Sequence, residues 1–265
     1  MASSSHHRVI GEIPLDGGNV GGAVRVGDTV RRTTGPWTPA VHELLAHLES
    51  RGFAGAPRPR GLDDQGREIL SFLPGETVGS QKPWPAWAFA DQSLIETAEW
   101  LKGYHRAVED FIPSPAAQWR EDGVWESGLI IGHNDAAPYN AAWDGRVLGF
   151  FDWDFAGPVT KEWDIAYSAF SWVPLHCRRA VIDVGFTAFA DRGRRLRLFL
   201  DSYGWEGSAE DMMEHVRART LASIRSIRTL AANKDPVFVA LQAAGHQTNL
   251  EDAVAEFPEI DLRSP

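Results

Sequence analysis

Gly132-His133-Asn134-Asp135-Ala136-Ala137-Pro138-Tyr139-Asn140, set directly after the apolar run Leu129-Ile130-Ile131, governs how the rest of the chain is read. The polar end of a short buried strand is where a scaffold presents reactive groups. Next comes Ala141 to Phe151, two apolar arms around Asp144-Gly145, which predicts a tight hairpin. Asp152-Trp153-Asp154 follows its second arm. Such a hairpin carries Asn140 and Asp152 to the same end of one ribbon. That set of groups suits phosphoryl transfer, which needs a carboxylate to orient a hydroxyl and take its proton, and hard oxygen ligands for magnesium. Asp135 can serve as the base, with Asn140 and Asp152 as the metal ligands.

The spacing His133-x-Asp135-x-x-x-x-Asn140, with Asp152 after the next apolar strand, matches the catalytic loop of protein kinases. Together with Phe151-Asp152-Trp153-Asp154 and Trp163-Asp164-Ile165-Ala166 it resembles the signature of the aminoglycoside phosphotransferase and choline-kinase-like family. The resemblance is most specific over residues 129–166 and covers the organisation of most of the chain. It implies an α+β, two-lobed, protein-kinase-like fold with a β-rich N-lobe over residues 1–75 and a mostly helical C-lobe over 76–265. Nucleotide, ATP or GTP with Mg2+, would lie between the lobes. Ser71-Phe72-Leu73-Pro74-Gly75 resembles the interlobe hinge, so the backbone of Ser71 and Leu73 is expected against the base. In such proteins the histidine braces the catalytic loop, a role that falls here to His133, and Asp164 is expected to anchor the loop by hydrogen bonds. Asp154 either approaches metal or substrate or caps a loop, and Trp153 is a candidate for lining the acceptor pocket.

The first seventy-odd residues carry the remaining parts. Ala23-Val24-Arg25-Val26 and Thr29-Val30-Arg31-Arg32-Thr33, joined by Gly27-Asp28, predict a hairpin. Before it, Gly17-Gly18-Asn19-Val20-Gly21-Gly22 is a glycine-rich segment whose backbone N–H groups could fold over phosphates. Gly17, Gly18, Asn19 and Gly21 are the nucleotide candidates there. The strand lysine usual in kinases is missing. Arg32 is expected inward by alternation from Val30, with Arg31 as the alternative. Val41, Leu44, Leu45 and Leu48 recur at helical spacing, so residues 38–50 predict a helix with Thr38 as N-cap, Pro39 at N1 and Gly52 beyond its end. The helix glutamate that pairs with the lysine in kinases has no clear counterpart, since Val41 falls at its position, with His42 and Glu43 adjacent. Further helices are expected over about 93–108, 181–203, 210–231 and 235–244.

The bulk numbers narrow the functions. The chain has 265 residues, 43% of them hydrophobic, and a net charge of -10. That charge opposes a nucleic-acid partner. Its one cysteine, Cys177, excludes an internal disulfide and a cysteine-based zinc site. No stretch has the length of a membrane span, and the N-terminus lacks an apolar signal segment, so a cytoplasmic protein is expected. The leading expectation is an enzyme that phosphorylates a hydroxyl of a small molecule. Acidic residues past the catalytic loop (Asp154, Glu162, Asp164) favour a cationic acceptor such as an aminoglycoside, with choline-like and sugar acceptors as alternatives. A second expectation is a kinase-fold binding or immunity protein without turnover, motivated by the altered lysine and glutamate positions. A metal-dependent hydrolase would need further ligands near His133 that the sequence does not offer.

Overall fold

The computed structural model describes residues 11–15 and 22–263. A five-stranded antiparallel sheet is built from β1 (Ile13–Pro14), β2 (Val24–Val26), β3 (Thr29–Arg32), β4 (Pro59–Leu62) and β5 (Glu68–Ser71), in the order β1-β2-β3-β5-β4. The helix α1 (Thr38–Ser50) connects β3 to β4. It buries Leu44, Leu45 and Leu48 completely, the face its spacing predicts. Thr38 is not the N-cap, a position held by Trp37. Thr38 lies inside the first turn, and its hydroxyl accepts from the Gly35 N–H at 2.9 Å. At the other end Gly52 adopts φ 69° and Phe53 N–H returns to Leu48 C=O at 3.0 Å, the six-to-one closure that glycine permits.

The remainder is mostly helical. It comprises α2 (Asp91–Ala107), the strands β6 (Ile130–Gly132), β7 (Ala141–Trp143), β8 (Val147–Phe150) and β9 (Gly157–Val159), and then α3 (Lys161–Trp172), α4 (Arg178–Asp183), α5 (Arg192–Tyr203), α6 (Ala209–Ala232), α7 (Pro236–Ala243) and α8 (His246–Glu256). This is an α+β protein with a small sheet lobe and a larger helical part. The helix expected over 181–203 is in fact two, α4 and α5. Gly185 sits at φ 101° between them, a backbone state that an α-helix cannot contain. Helices α3 and α8 escaped the periodicity reading. So did β9, whose Pro158 disguises a strand that pairs antiparallel with β6.

Two connections position the site. Strands β7 and β8 form the expected hairpin, with Ala141 opposite Phe150. Glu76, just past Pro74-Gly75, exchanges two backbone hydrogen bonds with Trp143 at 2.7 and 2.8 Å, tying the segment after the sheet to that hairpin. Gly75 holds φ 125°, and a Cβ there would lie 2.6 Å from the Trp143 carbonyl oxygen. Gly75→Ala is therefore expected to cost about 3 kcal/mol in stability, from backbone strain plus the clash, read by urea unfolding.

Candidate active site

Strand β6 delivers the loop 132–140, and three layers of contact hold it. Asp164, in the first turn of α3, is fully buried and accepts from the backbone N–H groups of His133 at 3.1 Å and Asn134 at 2.7 Å. His105 of α2 adds a third bond at 3.0 Å, and its other ring nitrogen meets Tyr203. Burial alone would raise the Asp164 carboxyl, but the bond and charge of His105 and the loop N–H groups hold it below the usual carboxylate range. Asn134 takes φ 63°, a left-handed state that asparagine tolerates. Its amide donates to the Phe155 carbonyl at 3.0 Å, pinning the segment that follows Asp152. His133 is completely buried against Trp153, ring centroids 4.3 Å apart, and burial lowers its pKa to about 4. A neutral ring fits its contact, since Nδ1 accepts from the Asp135 N–H.

Asp135 sits half-buried at the mouth of this loop. Its Oδ2 accepts from the Asn140 amide at 2.8 Å, and its Oδ1 from the Tyr139 hydroxyl at 2.7 Å. Burial first, and the negative charge of Asp152 second, push its pKa up to about 7, against the lowering effect of the bonds from Tyr139, Tyr167 and Asn140. A carboxyl poised near neutrality can take a proton from a hydroxyl at physiological pH.

Asn140 and Asp152 lie at the same end of the ribbon, because Phe151 N–H bonds Asn140 C=O at 3.0 Å. With its nitrogen committed to Asp135, the Asn140 amide has its oxygen to offer a cation. Asp152 takes φ 62°, and its side chain is 40% exposed, so its carboxylate is accessible. One carboxylate and one amide oxygen make a set suited to magnesium, which keeps waters and phosphate oxygens as its other ligands.

Arg32 faces this group from the sheet. In the β3–β5 register it stands directly across from Glu68, so both side chains share a face, while Arg31 turns toward Thr29 and Asp63. Each guanidinium nitrogen of Arg32 meets a different carboxylate: Nε Glu68 at 2.6 Å, Nη1 Asp152 at 3.0 Å, and Nη2 Asp154. The three carboxylates outweigh burial and hold Arg32 firmly protonated. Glu68 is 2% exposed and also meets His42 Nε2 at 2.9 Å. A carboxylate partner for Arg32 thus comes from β5, with His42 of α1 behind it, and Val41 is core. Asp154 takes a second cation, Arg120 at 3.2 Å, which stacks between Trp37 and Phe155.

The remaining site candidates fall as follows. Trp153 is 2% exposed, packs against His133, and its Nε1 donates to the Phe150 carbonyl. Asp154 pairs with Arg32 and Arg120, and Asp164 holds the loop N–H groups and His105. Gly17, Gly18, Asn19 and Gly21 lie outside the described residues. Ser71 is on β5, its hydroxyl accepting from Arg58 N–H at 2.8 Å, and Leu73 follows in the connecting segment. Glu68, Arg120 and Tyr167 were missed. Glu68 alone left a trace, as a charge two residues before buried Leu70 on the inward face of a strand.

No family model matches the sequence. The trifolitoxin immunity protein of Rhizobium leguminosarum bv. trifolii is 36% identical over 199 residues, 73% of this chain and 74% of that protein. Among solved structures, the chain is similar to a GDP complex of aminoglycoside 2'-phosphotransferase-IIIa, with TM-score 0.61 and 15% identity over 93% of both chains. An amicoumacin kinase with AMP-PNP, Ca2+ and Ami gives TM-score 0.59 at 12% identity, over 94% of this chain and 90% of the other. A choline kinase from Cryptosporidium parvum gives 0.58 at 12%, again over 94% and 90%. The chain therefore belongs to the family of the trifolitoxin immunity protein, built on the protein-kinase-like fold that aminoglycoside phosphotransferases and choline kinases share.

Proposed function

We propose that this protein is a nucleotide-dependent phosphotransferase acting on a hydroxyl of a small molecule. The observation that carries this reading is Asp135, poised near neutral pH and hydrogen-bonded to Asn140, with Asp152 at the same ribbon end and Arg32 opposite. Asp135 would orient the acceptor hydroxyl and take its proton. Asn140 and Asp152 would hold Mg2+, which neutralises charge on the phosphates when bound. Arg32 would grip phosphate oxygens, held at the right height by Glu68 and His42. The base of ATP or GTP would meet the backbone of the hinge at 71–75, where we place the division between the lobes. The acceptor would approach beside Tyr139, Tyr167 and Trp84, a largely aromatic surrounding.

A second reading has its own observation. Every guanidinium nitrogen of Arg32 is taken by a carboxylate, and the relative at 36% identity is named for immunity. On that reading the protein confers immunity by binding a toxic molecule without phosphorylating it. Nucleotide consumption separates the two. With Mg2+ and ATP or GTP, a panel of aminoglycosides, other basic antibiotics, toxic peptides, choline and sugars is expected to contain an acceptor that drives turnover. Asp152→Asn is expected to lower that turnover at least 100-fold, by losing a charged metal ligand. Toxin binding without turnover would favour sequestration, and absence of nucleotide binding would sink the phosphotransferase reading.

No helix among the described residues is long and apolar enough to cross a membrane.

A further inference from the structure

Phosphotransfer to a small hydroxylated molecule has a built-in competitor. Water carries the same nucleophilic hydroxyl and is present at far higher concentration. Any carboxylate that activates an acceptor can also activate water, unless something keeps water from it.

In this structure both oxygens of Asp135 are taken. Asn140 holds Oδ2 at 2.8 Å, and the hydroxyl of Tyr139 donates to Oδ1 at 2.7 Å, the contact an acceptor hydroxyl would make. The position of Tyr139 follows from the local chain. Ala137 N–H bonds the Asp135 carbonyl at 2.9 Å, and a short 3-10 turn over Pro138–Asn140 then brings the ring back over the carboxylate. A second tyrosine fixes the hydroxyl. Tyr167 of α3 lies 2.7 Å from the Tyr139 oxygen. Arg219 of α6, 7% exposed, braces Tyr167 by stacking over its ring at 5.1 Å and over Trp163 at 5.2 Å. The Tyr139 ring is itself 38% exposed and edges Trp84, so it can move aside without disturbing the core.

We propose that Tyr139, positioned by Tyr167, is a guard on Asp135 that excludes water in the absence of acceptor and yields to the acceptor hydroxyl. The inference rests on the phosphotransferase reading above. An acceptor bound through the rest of its surface has interaction energy to spend on displacing a hydrogen bond, whereas a lone water has none. The reaction suppressed is hydrolysis: a water oxygen bonds to the γ-phosphorus, its proton passes to Asp135, the bond from γ-phosphorus to the bridging oxygen breaks, and nucleoside diphosphate and phosphate leave. Tyr139 acts through Asp135 and is a specificity-determining residue.

The test needs no knowledge of the acceptor. Phosphate release from ATP and GTP with Mg2+ is measured on the full chain without acceptor, for wild type, Tyr139→Phe, Tyr167→Phe and the double variant Asp135→Asn/Tyr139→Phe. Nucleotide affinity is measured by calorimetry and folding by circular dichroism for each. Removing the hydroxyl opens the Oδ1 position to one water, with the Tyr167 hydroxyl left beside Asp135. Hydrolysis by Tyr139→Phe is expected to rise about ten- to hundredfold, the worth of one charge-assisted hydrogen bond, at unchanged nucleotide affinity. Tyr167→Phe is expected to give a smaller rise, and the double variant to return to the wild-type rate or below. Unchanged hydrolysis in a folded, nucleotide-binding Tyr139→Phe would overturn the guard and leave the phosphotransferase reading standing. Phosphate appearing on Tyr139 of the wild type, read by mass spectrometry, would overturn it too, because the hydroxyl would then be an acceptor. Failure of wild type and variants alike to bind nucleotide would overturn both readings together.

Discussion

Asp135→Asn is expected to lower acceptor-dependent phosphate transfer about 1000-fold and, without nucleotide or metal, to raise the melting temperature at pH 8. The two effects have one origin. Burial, and then the charge of Asp152, lift the Asp135 carboxyl to about 7, whereas an unfolded aspartate titrates near ~3.9. Between those values the folded chain binds more protons than the unfolded one, so stability falls as pH rises through that window. Above it the folded state carries the full cost of an ionised carboxylate in a poor solvent. Asp135 is half-buried, so solvent screening discounts that cost to the order of 2 kcal/mol. Asparagine removes the charge and keeps the bonds: its oxygen accepts from Asn140, and its NH2 donates to Tyr139. The variant is therefore expected to melt about 5 °C above wild type at pH 8. At pH 5, where the wild-type carboxyl is protonated when folded, much of the gap should close. Melts at the two pH values check this, and a variant less stable than wild type at pH 8 would show that the carboxylate is held favourably after all.

Arg32→Ala is expected to destabilise the protein by about 3–5 kcal/mol, because it strands carboxylates rather than merely deleting a surface contact. Glu68 is 2% exposed and Asp154 partly buried, and both depend on the same guanidinium as Asp152. Removal leaves Glu68 with His42 and Asp154 with Arg120, and three like charges around a void. Lysine is no simple substitute, even though it is usual in kinases. A single ammonium cannot reproduce the fork that sends one nitrogen to each carboxylate, so Arg32→Lys should fall between alanine and wild type. Urea unfolding of Arg32→Ala, Glu68→Gln and the double variant measures the coupling. The double variant should lose less than the sum of the two singles, since neutral Glu68→Gln no longer needs the cation. A loss under about 1 kcal/mol for Arg32→Ala would mean that the cluster is solvated like an ordinary surface ion pair.

What could be read from sequence was local or carried by spacing. Helix α1 declared itself over residues 38–50 by the 3.6-residue recurrence of its leucines, and the 141–150 hairpin by its Asp-Gly turn, because both are set by contacts within a few residues. The pattern from His133 to Asn140, followed by Asp152, carried the family resemblance that implied the kinase-like fold, and the hairpin after the loop placed Asn140 and Asp152 together. Residues brought in from far along the chain were another matter. Glu68 reaches Arg32 only through the β3–β5 register, Arg120 reaches Asp154 from an aperiodic stretch, and Tyr167 reaches Tyr139 from a helix that periodicity did not reveal. The same holds for strand β9, recognisable as a strand only because β6 lies beside it. Sequence alone thus determined which chemical groups the loop at 132–140 would display. Tertiary structure decided which of them are spent on one another, because hydrogen bonds and charges pair by distance in space, and no period along the chain encodes that distance.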